Sequence, residues 1–124
     1  MTEFLKFMSR DFSRLLERAD NFDVNAEIGD ESNKKIFKAH SVILRARSSY
    51  FDRALSGDWS NVENGTIKFK KNNISPDVFS VILNYLYGAT IPLDQQSAPI
   101  ILEILIAADE FNLDDLFDHL QQYL

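Results

Sequence analysis

The stretch FKAHSVILRARSSYF, residues 37–51, holds the side chains of this sequence best suited to acid–base chemistry. His40 stands next to Ser41, and a histidine that accepts the proton of a serine hydroxyl activates a nucleophile in hydrolases. The chain contains neither a Gly-x-Ser-x-Gly elbow nor a glycine-rich phosphate loop, and it has only four glycines. Serine is also a routine residue at the start of a helix. We therefore interpret Ser41 as a helix cap and predict that the chain is not an enzyme.

The two histidines are the candidates for metal ligation, because the chain lacks cysteine. His40 has Lys38 and Arg45 close by in sequence, and positive charges disfavour a bound cation. Asp115 precedes His119 by one helical turn, a spacing that puts both on one helix face and permits a loose divalent contact. A solvated helix face explains the same pair more simply. We predict no metal and no other cofactor.

Charge is distributed unevenly along the chain. All 13 Lys and Arg residues lie in residues 1–71, residues 72–124 hold acids and no base, and the net charge is −6. Such a protein lacks the clustered cations that neutralise phosphates, so we expect no nucleic-acid partner. No apolar run is long enough to span a membrane, and the lack of cysteine fits a reducing compartment. We expect an intracellular protein, cytoplasmic or nuclear, whose acidic half either is a solvated surface or attracts a basic partner.

Hydrophobic periodicity predicts the elements that position these side chains. Phe4, Met8, Phe12 and Leu15 recur at helical spacing, which predicts an amphipathic helix over about residues 3–19. Alternating patterns predict a hairpin followed by a third strand. The remaining predictions are a hairpin over 23–40, a helix from Ser41 to Gly57, a loop or a single irregular turn over 58–65, a strand over 66–70, a helix over 75–88 capped by Ser75, a short edge strand over 89–93, and helices over 97–112 and 113–124.

Two of these predictions concern what the C-terminal helices bury. Residues 100–108 are apolar almost all round, which is typical of a central helix. The last helix is amphipathic, and we expect its apolar residues to face inward. Those residues are Leu113, Leu116, Phe117, Leu120 and Leu124.

Four segments resemble the BTB/POZ domain family. FKAHSVILRARSSYFDRAL resembles the F-x-A-H-x-x-x-L run of that family followed by S-x-x-F, and NFDV resembles the segment that opens its first core strand. ISPDVFSVILNYLYGATIPL and ILIAADEFNLDDLFDHLQQYL are similar to its later segments, and the match covers about residues 12–124. The pattern of these segments resembles most that of BTB domains that precede BACK, Kelch or TLDc regions.

The resemblance implies an α/β fold with a small three-stranded sheet plus a short edge strand, flanked by about five to six helices. It implies one domain over residues 1–124, with a dimerisation helix at about 3–19 and a core over 20–124, excised from a longer protein. It also makes His40 a core residue, packed beside Phe37 and Leu44, and gives Ser48 a role in helix packing.

Protein–protein interaction is the function that this family implies, beginning with a homodimer. The apolar stripe of the N-terminal helix supports a dimer independently, because a large exposed apolar patch normally marks an interface. Dimeric members commonly carry Arg or Lys directly after the motif histidine, facing an aspartate, but that place is Ser41 here and Arg45 or Arg47 would have to substitute. The predicted dimer interface is Phe4, Met8, Phe12, Leu15, Asp23 and Arg45.

A second surface is implied for members that bind a cullin. Their apolar-x-Glu motif aligns with Trp59-Ser60-Asn61, where an amide replaces the acid. The predicted partner surface is Phe51, Leu55, Trp59, Asn61 and Tyr87. Two functions follow as alternatives: a substrate adaptor for a cullin-RING ubiquitin ligase, or an oligomerisation and scaffolding domain that binds no cullin.

Overall fold

A computed structural model of the protein describes residues 4–57 and 61–124. No helix within these two ranges is long and apolar enough to cross a membrane. In chain order the elements are α1 (Leu5–Arg18), β1 (Val24–Asp30), β2 (Asn33–Ala39), α2 (Ser41–Arg47), α3 (Ser49–Ala54), β3 (Asn61–Glu63), β4 (Thr66–Lys71), α4 (Pro76–Gly88), α5 (Ala98–Glu110) and α6 (Asp114–Gln121).

The four strands form one mixed sheet in the order β2-β1-β4-β3. β1 pairs antiparallel with β2 and parallel with β4, so the hairpin and the third strand of the predicted sheet are confirmed. Val24, Ala26 and Ile28 alternate on one face of β1 and are buried against the helices, as expected for a half-buried strand. At the hairpin turn, Gly29 has φ +109°, and a Cβ there would lie 2.1 Å from the carbonyl oxygen of Asn33.

The predicted edge strand is in the wrong place. The fourth strand is β3, which pairs with β4 and lies in the segment that was predicted to be a loop. Residues 89–93 form no strand, because Ala89 takes the left-handed conformation with φ 55° to end α4 and Leu93 begins a single 3-10 turn. Pro92 lacks the N–H group that a ladder requires.

The helix predicted from Ser41 to Gly57 is two helices. Ser48 interrupts it in an extended conformation, with φ −146° and ψ 121°, and caps α3 by accepting a hydrogen bond from the amide of Phe51 at 3.2 Å. The cap position of α2 is occupied by His40, so Ser41 is the first helical residue rather than the cap. By contrast, Ser75 caps α4 as predicted, with its hydroxyl accepting from the amide of Val78.

Aromatic side chains from α3, from β4 and from Phe111, which directly follows α5, form the centre of the core. Phe51 stacks on Phe111 with ring centroids 5.0 Å apart, and Phe69 meets Phe51 edge-on at 5.2 Å. α5 was predicted to be central, and one of its faces is buried through Ile101, Ile104, Ala107 and Ala108, whereas Leu102 and Ile106 on the other side are 48% and 60% exposed. In the last segment Leu113, Leu116 and Leu120 are buried as predicted and Phe117 is partly buried, whereas Leu124 is 59% exposed.

Candidate interaction surface

α1 lies against α4 through small residues rather than through its apolar stripe. The hydroxyl of Ser9 donates a hydrogen bond to the carbonyl oxygen of Gly88, the last residue of α4. A Cβ at Gly88 would lie 2.1 Å from the Ser13 hydroxyl and 3.2 Å from the Ser9 carbonyl oxygen. Glycine therefore permits the close approach of the two helices. We call this meeting of Ser9, Ser13 and Gly88 the serine contact.

Because the serine contact occupies one side of α1, the apolar stripe of the helix remains in solvent. None of the α1 residues is buried. Phe4, Met8 and Phe12 are 65%, 52% and 38% exposed, and Leu15 is partly buried against the core. The predicted stripe is thus present on one helix face, and most of it is not covered by any other part of the chain that the structure describes.

A groove beside the stripe extends the apolar surface onto α2 and the end of α4. Its volume is about 370 Å³, and Leu5, Met8, Ser9 and Phe12 form its α1 wall. The other walls are Ile43 and Ala46 of α2 and Leu86 of α4. These three groove residues were not predicted as part of the interface, since a groove between elements exists only once the helices have packed.

Below the groove, His40 and Tyr87 form a buried polar network. The Tyr87 hydroxyl accepts from the His40 amide nitrogen at 2.7 Å and lies 2.8 Å from the His40 Nδ1 atom. His40 Nε2 lies 2.6 Å from the carbonyl oxygen of Asp20, which can only accept, so Nε2 carries the proton and Nδ1 accepts from the tyrosine. Both ring nitrogens have partners, and His40 is 6% exposed. The interpretation of His40 as a core residue is confirmed.

Burial also fixes the protonation state of Tyr87. Its burial, with the negative charge of Asp23 as a lesser cause, raises the pKa of Tyr87 to about 12, while the hydrogen bond from the His40 backbone acts in the opposite direction. The hydroxyl is therefore protonated at neutral pH and can donate to the imidazole.

Asp23 is satisfied within its own chain. Its two carboxylate oxygens accept from the Ser41 amide at 2.7 Å and the Ser41 hydroxyl at 2.5 Å, so it ties the start of β1 to the start of α2. Arg45 pairs with Asp52 at 2.9 Å, and Arg47 donates to the carbonyl oxygen of Leu86 at 3.2 Å. Neither arginine takes the place of the family's basic partner for Asp23 among the contacts of residues 4–57 and 61–124.

Most of the second predicted surface is not a surface. Phe51, Leu55 and Tyr87 are 0%, 3% and 5% exposed, because the first two pack into the aromatic core and the third bonds to His40 at the base of the groove. Asn61 is exposed at the start of β3. Trp59 lies outside the described residues.

The other chemical candidates have structural partners. His119 stacks edge-on against Tyr123 with ring centroids 5.5 Å apart, and Ser41 bonds to Asp23. Within the described part of the chain, no group of three or more His, Asp or Glu side chains is arranged to hold a metal ion. The arrangement therefore leaves an exposed apolar surface, formed by the stripe and the groove beside it.

Comparison with known proteins agrees with this geometry. Residues 12–124 match the family model described as BTB/POZ domain. Human BTB/POZ domain-containing protein 9 is 29% identical over 104 residues, covering 82% of this chain, and human Kelch-like protein 25 is 28% identical over 102 residues. The chain spans 17% and 16% of their respective lengths.

Two solved structures have the same fold. The BTB domain of zebrafish PATZ1 superposes with a TM-score of 0.75 and 20% identity, covering 99% of this chain and 92% of that one. The BTB domain of human gigaxonin gives a TM-score of 0.73 and 22% identity, with 96% and 92% coverage.

Proposed function

This chain belongs to the BTB/POZ family, whose domains are protein-interaction modules that self-associate, and we propose that it pairs with a second copy of itself through α1 and the groove. One observation carries this proposal. The apolar stripe of α1, with Phe4 and Met8 more than half exposed, is largely uncovered by the described residues 4–57 and 61–124. An uncovered apolar surface of this kind is unfavourable in water and normally marks an interface.

The arrangement of the surface favours a copy of this chain as the partner. A two-fold interface uses the same patch on both subunits, so the patch must complement itself. Here a projecting stripe and a concave groove lie side by side on one subunit. In a two-fold dimer the stripe of each subunit can therefore occupy the groove of the other. A stable dimer of this type buries roughly 1,600 Å² or more in total.

Polar residues have a secondary role in this proposed interface. Asp23 is already bonded to Ser41, and Arg45 already pairs with Asp52 at the surface. The affinity would therefore come mainly from apolar contacts. We place Asp23 and Arg45 at the border of the interface, where exposed ion pairs contribute little.

Sedimentation equilibrium at micromolar concentration tests the proposal. We expect a dimer for the unchanged chain and a monomer for Phe12→Asp, because a carboxylate in the stripe would be buried without a partner. Leu102→Asp is the matched control, since Leu102 is similarly exposed on α5 but lies outside the stripe and groove. A monomeric unchanged chain, or a Phe12→Asp variant that still dimerises, would contradict the proposal.

We further propose that the dimer acts as a substrate adaptor for a cullin-RING ubiquitin ligase. Similarity to Kelch-like protein 25 and the position of Asn61 on the exposed β3 strand support this second step. Because Phe51, Leu55 and Tyr87 are buried, the contact would be made by Asn61, Trp59 and exposed residues of α6. The acidic C-terminal half would draw a basic partner surface, more weakly as salt rises.

Calorimetric titration with a purified cullin N-terminal domain tests the adaptor step. We expect weak to moderate binding, loss of binding in Trp59→Ala, and tighter binding in Asn61→Glu, which restores the acid of the motif. If the unchanged chain and Asn61→Glu are both folded dimers that do not bind, the alternative holds. The domain then serves to oligomerise or scaffold its parent protein.

A further inference from the structure

The serine contact attaches α1 to α4 through a polar bond, and it is tightly packed at Gly88 although Ser9 also borders the groove. The Ser9 hydroxyl must supply a hydrogen to the Gly88 carbonyl oxygen. The Ser13 hydroxyl lies only 2.1 Å from the position that a methyl group on Gly88 would take. A group larger than a hydroxyl on Ser13 would meet Gly88 directly, and a substituent on the Ser9 oxygen would remove the bond to the Gly88 carbonyl.

Both serines lie in the same basic sequence pattern. The segment KFMSRDFSR reads Lys-x-x-Ser-Arg at Ser9 and then Arg-x-x-Ser-Arg at Ser13. Lys6 and Arg10 stand three residues before the two serines, and an arginine follows each of them directly. Positive charge at these positions is a pattern by which serine kinases select substrates electrostatically.

From the geometry and this pattern together, we propose that Ser9 and Ser13 are phosphorylation sites whose modification detaches α1 from α4. In the transfer step, the serine Oγ forms a bond to the γ-phosphorus of ATP. The bond from that phosphorus to the β–γ bridging oxygen breaks, ADP leaves, and the hydroxyl proton passes to the kinase base.

The product is incompatible with the docked helix. A phosphate on Ser9 removes the only hydrogen that the hydroxyl could donate, and places acceptor oxygens against the Gly88 carbonyl oxygen. It also adds about −1.5 to −2 charges beside the C-terminal end of α4, which is the negative end of the helix dipole. Arg47, a cation in the same groove, already bonds to the carbonyl oxygen of Leu86 and faces the ring of Tyr85.

α1 can expose both serines to a kinase without unfolding of the core. It buries none of its residues, and it packs mainly on one element, α4. Elements with few buried contacts open locally at low cost in free energy. Once detached, the two phosphates would lie one helical turn apart, flanked by Arg10 and Arg14, and could not return to Gly88.

Site mapping tests the first half of the inference. The purified chain is incubated with ATP and the catalytic domain of a serine kinase that requires a basic residue three positions before its target. Mass spectrometry should find phosphate on Ser9 or Ser13, and none in the double variant Ser9→Ala/Ser13→Ala. Phosphate found only elsewhere, or none at all, would overturn the assignment of the sites.

Hydrogen exchange tests the second half. Phosphoserine is installed during translation at position 9 or 13, and we expect amide exchange in residues 5–18 at least about tenfold faster than in the unmodified chain. Phosphoserine at position 49, exposed at the start of α3, is the matched control and should leave α1 unchanged. Slow exchange in α4 and α5 of the same samples shows that the core is folded.

Unchanged exchange in α1 of both modified chains would overturn the inference. The exchange measurement does not depend on the proposed dimer, because α1 packs on α4 of its own chain and exchange can be measured in dilute solution. A monomeric unmodified chain would contradict the proposed function alone. A dimer that persists with α1 protected after phosphorylation would contradict the inference alone.

Discussion

The hydroxyl of Tyr87 bonds to both the imidazole and the backbone of His40, at 2.8 Å from Nδ1 and 2.7 Å from the amide nitrogen. If His40 only filled space in the core, His40→Leu would cost little stability. The network indicates a larger cost, of about 1–3 kcal/mol, because the substitution leaves the Asp20 carbonyl and one Tyr87 interaction unpaired in a buried site.

Urea denaturation measures this change in the free energy of unfolding. Lys38→Leu, at an exposed position of β2 two residues before His40, serves as the control and should change stability by less than about 0.5 kcal/mol. An equally small effect in His40→Leu would show that the network contributes nothing net. A folded His40→Leu variant should still dimerise, since His40 lies below the groove and does not line it.

Tyr87 also makes stability depend on pH in the alkaline range. Its pKa rises from 10.0 to about 12 in the folded chain. The protonated hydroxyl therefore stabilises the fold fully below about pH 10, and this contribution is lost as pH rises through about 12. Tyr87→Phe lacks the titration, so the stability advantage of the unchanged chain over this variant should shrink between those two pH values.

Denaturation of both chains at matched ionic strength from pH 9 to 11.5 measures that difference, a window set by ordinary and shifted tyrosine pKa values. Tyr123→Phe is the control, because Tyr123 is 47% exposed. A constant difference between the unchanged chain and Tyr87→Phe across the window would contradict the prediction.

Ser48 should be the most sensitive small residue of the core. Its buried hydroxyl donates to the carbonyl oxygen of Phe111 at 2.8 Å and accepts from the Phe51 amide, so it joins the start of α3 to the end of α5. Ser48→Ala removes both bonds, and we expect a loss of about 1–3 kcal/mol in the free energy of unfolding. The neighbouring exposed Ser49→Ala should stay within about 0.5 kcal/mol, and equal losses in the two variants would refute this explanation.

Asp23 provides a test of where charge acts in the dimer. Asp23→Asn keeps one acceptor for Ser41 but loses the charge, and we expect a stability loss of about 1 kcal/mol with dimerisation retained. Thermal unfolding and sedimentation equilibrium separate the two effects. Dissociation of the dimer without loss of stability would mean that Asp23 pairs with a cation across the interface, and that its bonds to Ser41 contribute little.

Periodicity predicted the elements that carry a strong pattern of their own. The four-residue spacing from Phe4 to Phe12 is enough to predict α1, and the Ser75-Pro76 start signal is enough to predict α4. β3 could not be found in this way, because three exposed residues become a strand only by pairing with β4. The break at Ser48 was equally hidden, since its hydroxyl partner, Phe111, is distant in sequence.

The candidate surface was predictable in composition but not in shape. The α1 stripe follows from spacing, whereas the burial of Phe51, Leu55 and Tyr87 depends on which side of each helix meets the core. Gly88 was interpreted only as a helix end. Its contact with Ser9 and Ser13 joins elements at opposite ends of the chain, and no local pattern encodes such a meeting.

The parallel pairing of β1 with β4 restricts the order in which the chain can fold. β2 joins β1 through a tight turn, but β4 reaches β1 only after α2, α3 and β3 have been brought round. The chain loses conformational entropy when that long loop closes, and this loss is offset only once the contacts between β1 and β4 have formed. Substitutions at Ile67 or Phe69 in β4 should therefore slow refolding, whereas truncation of Leu120 in α6 should mainly accelerate unfolding.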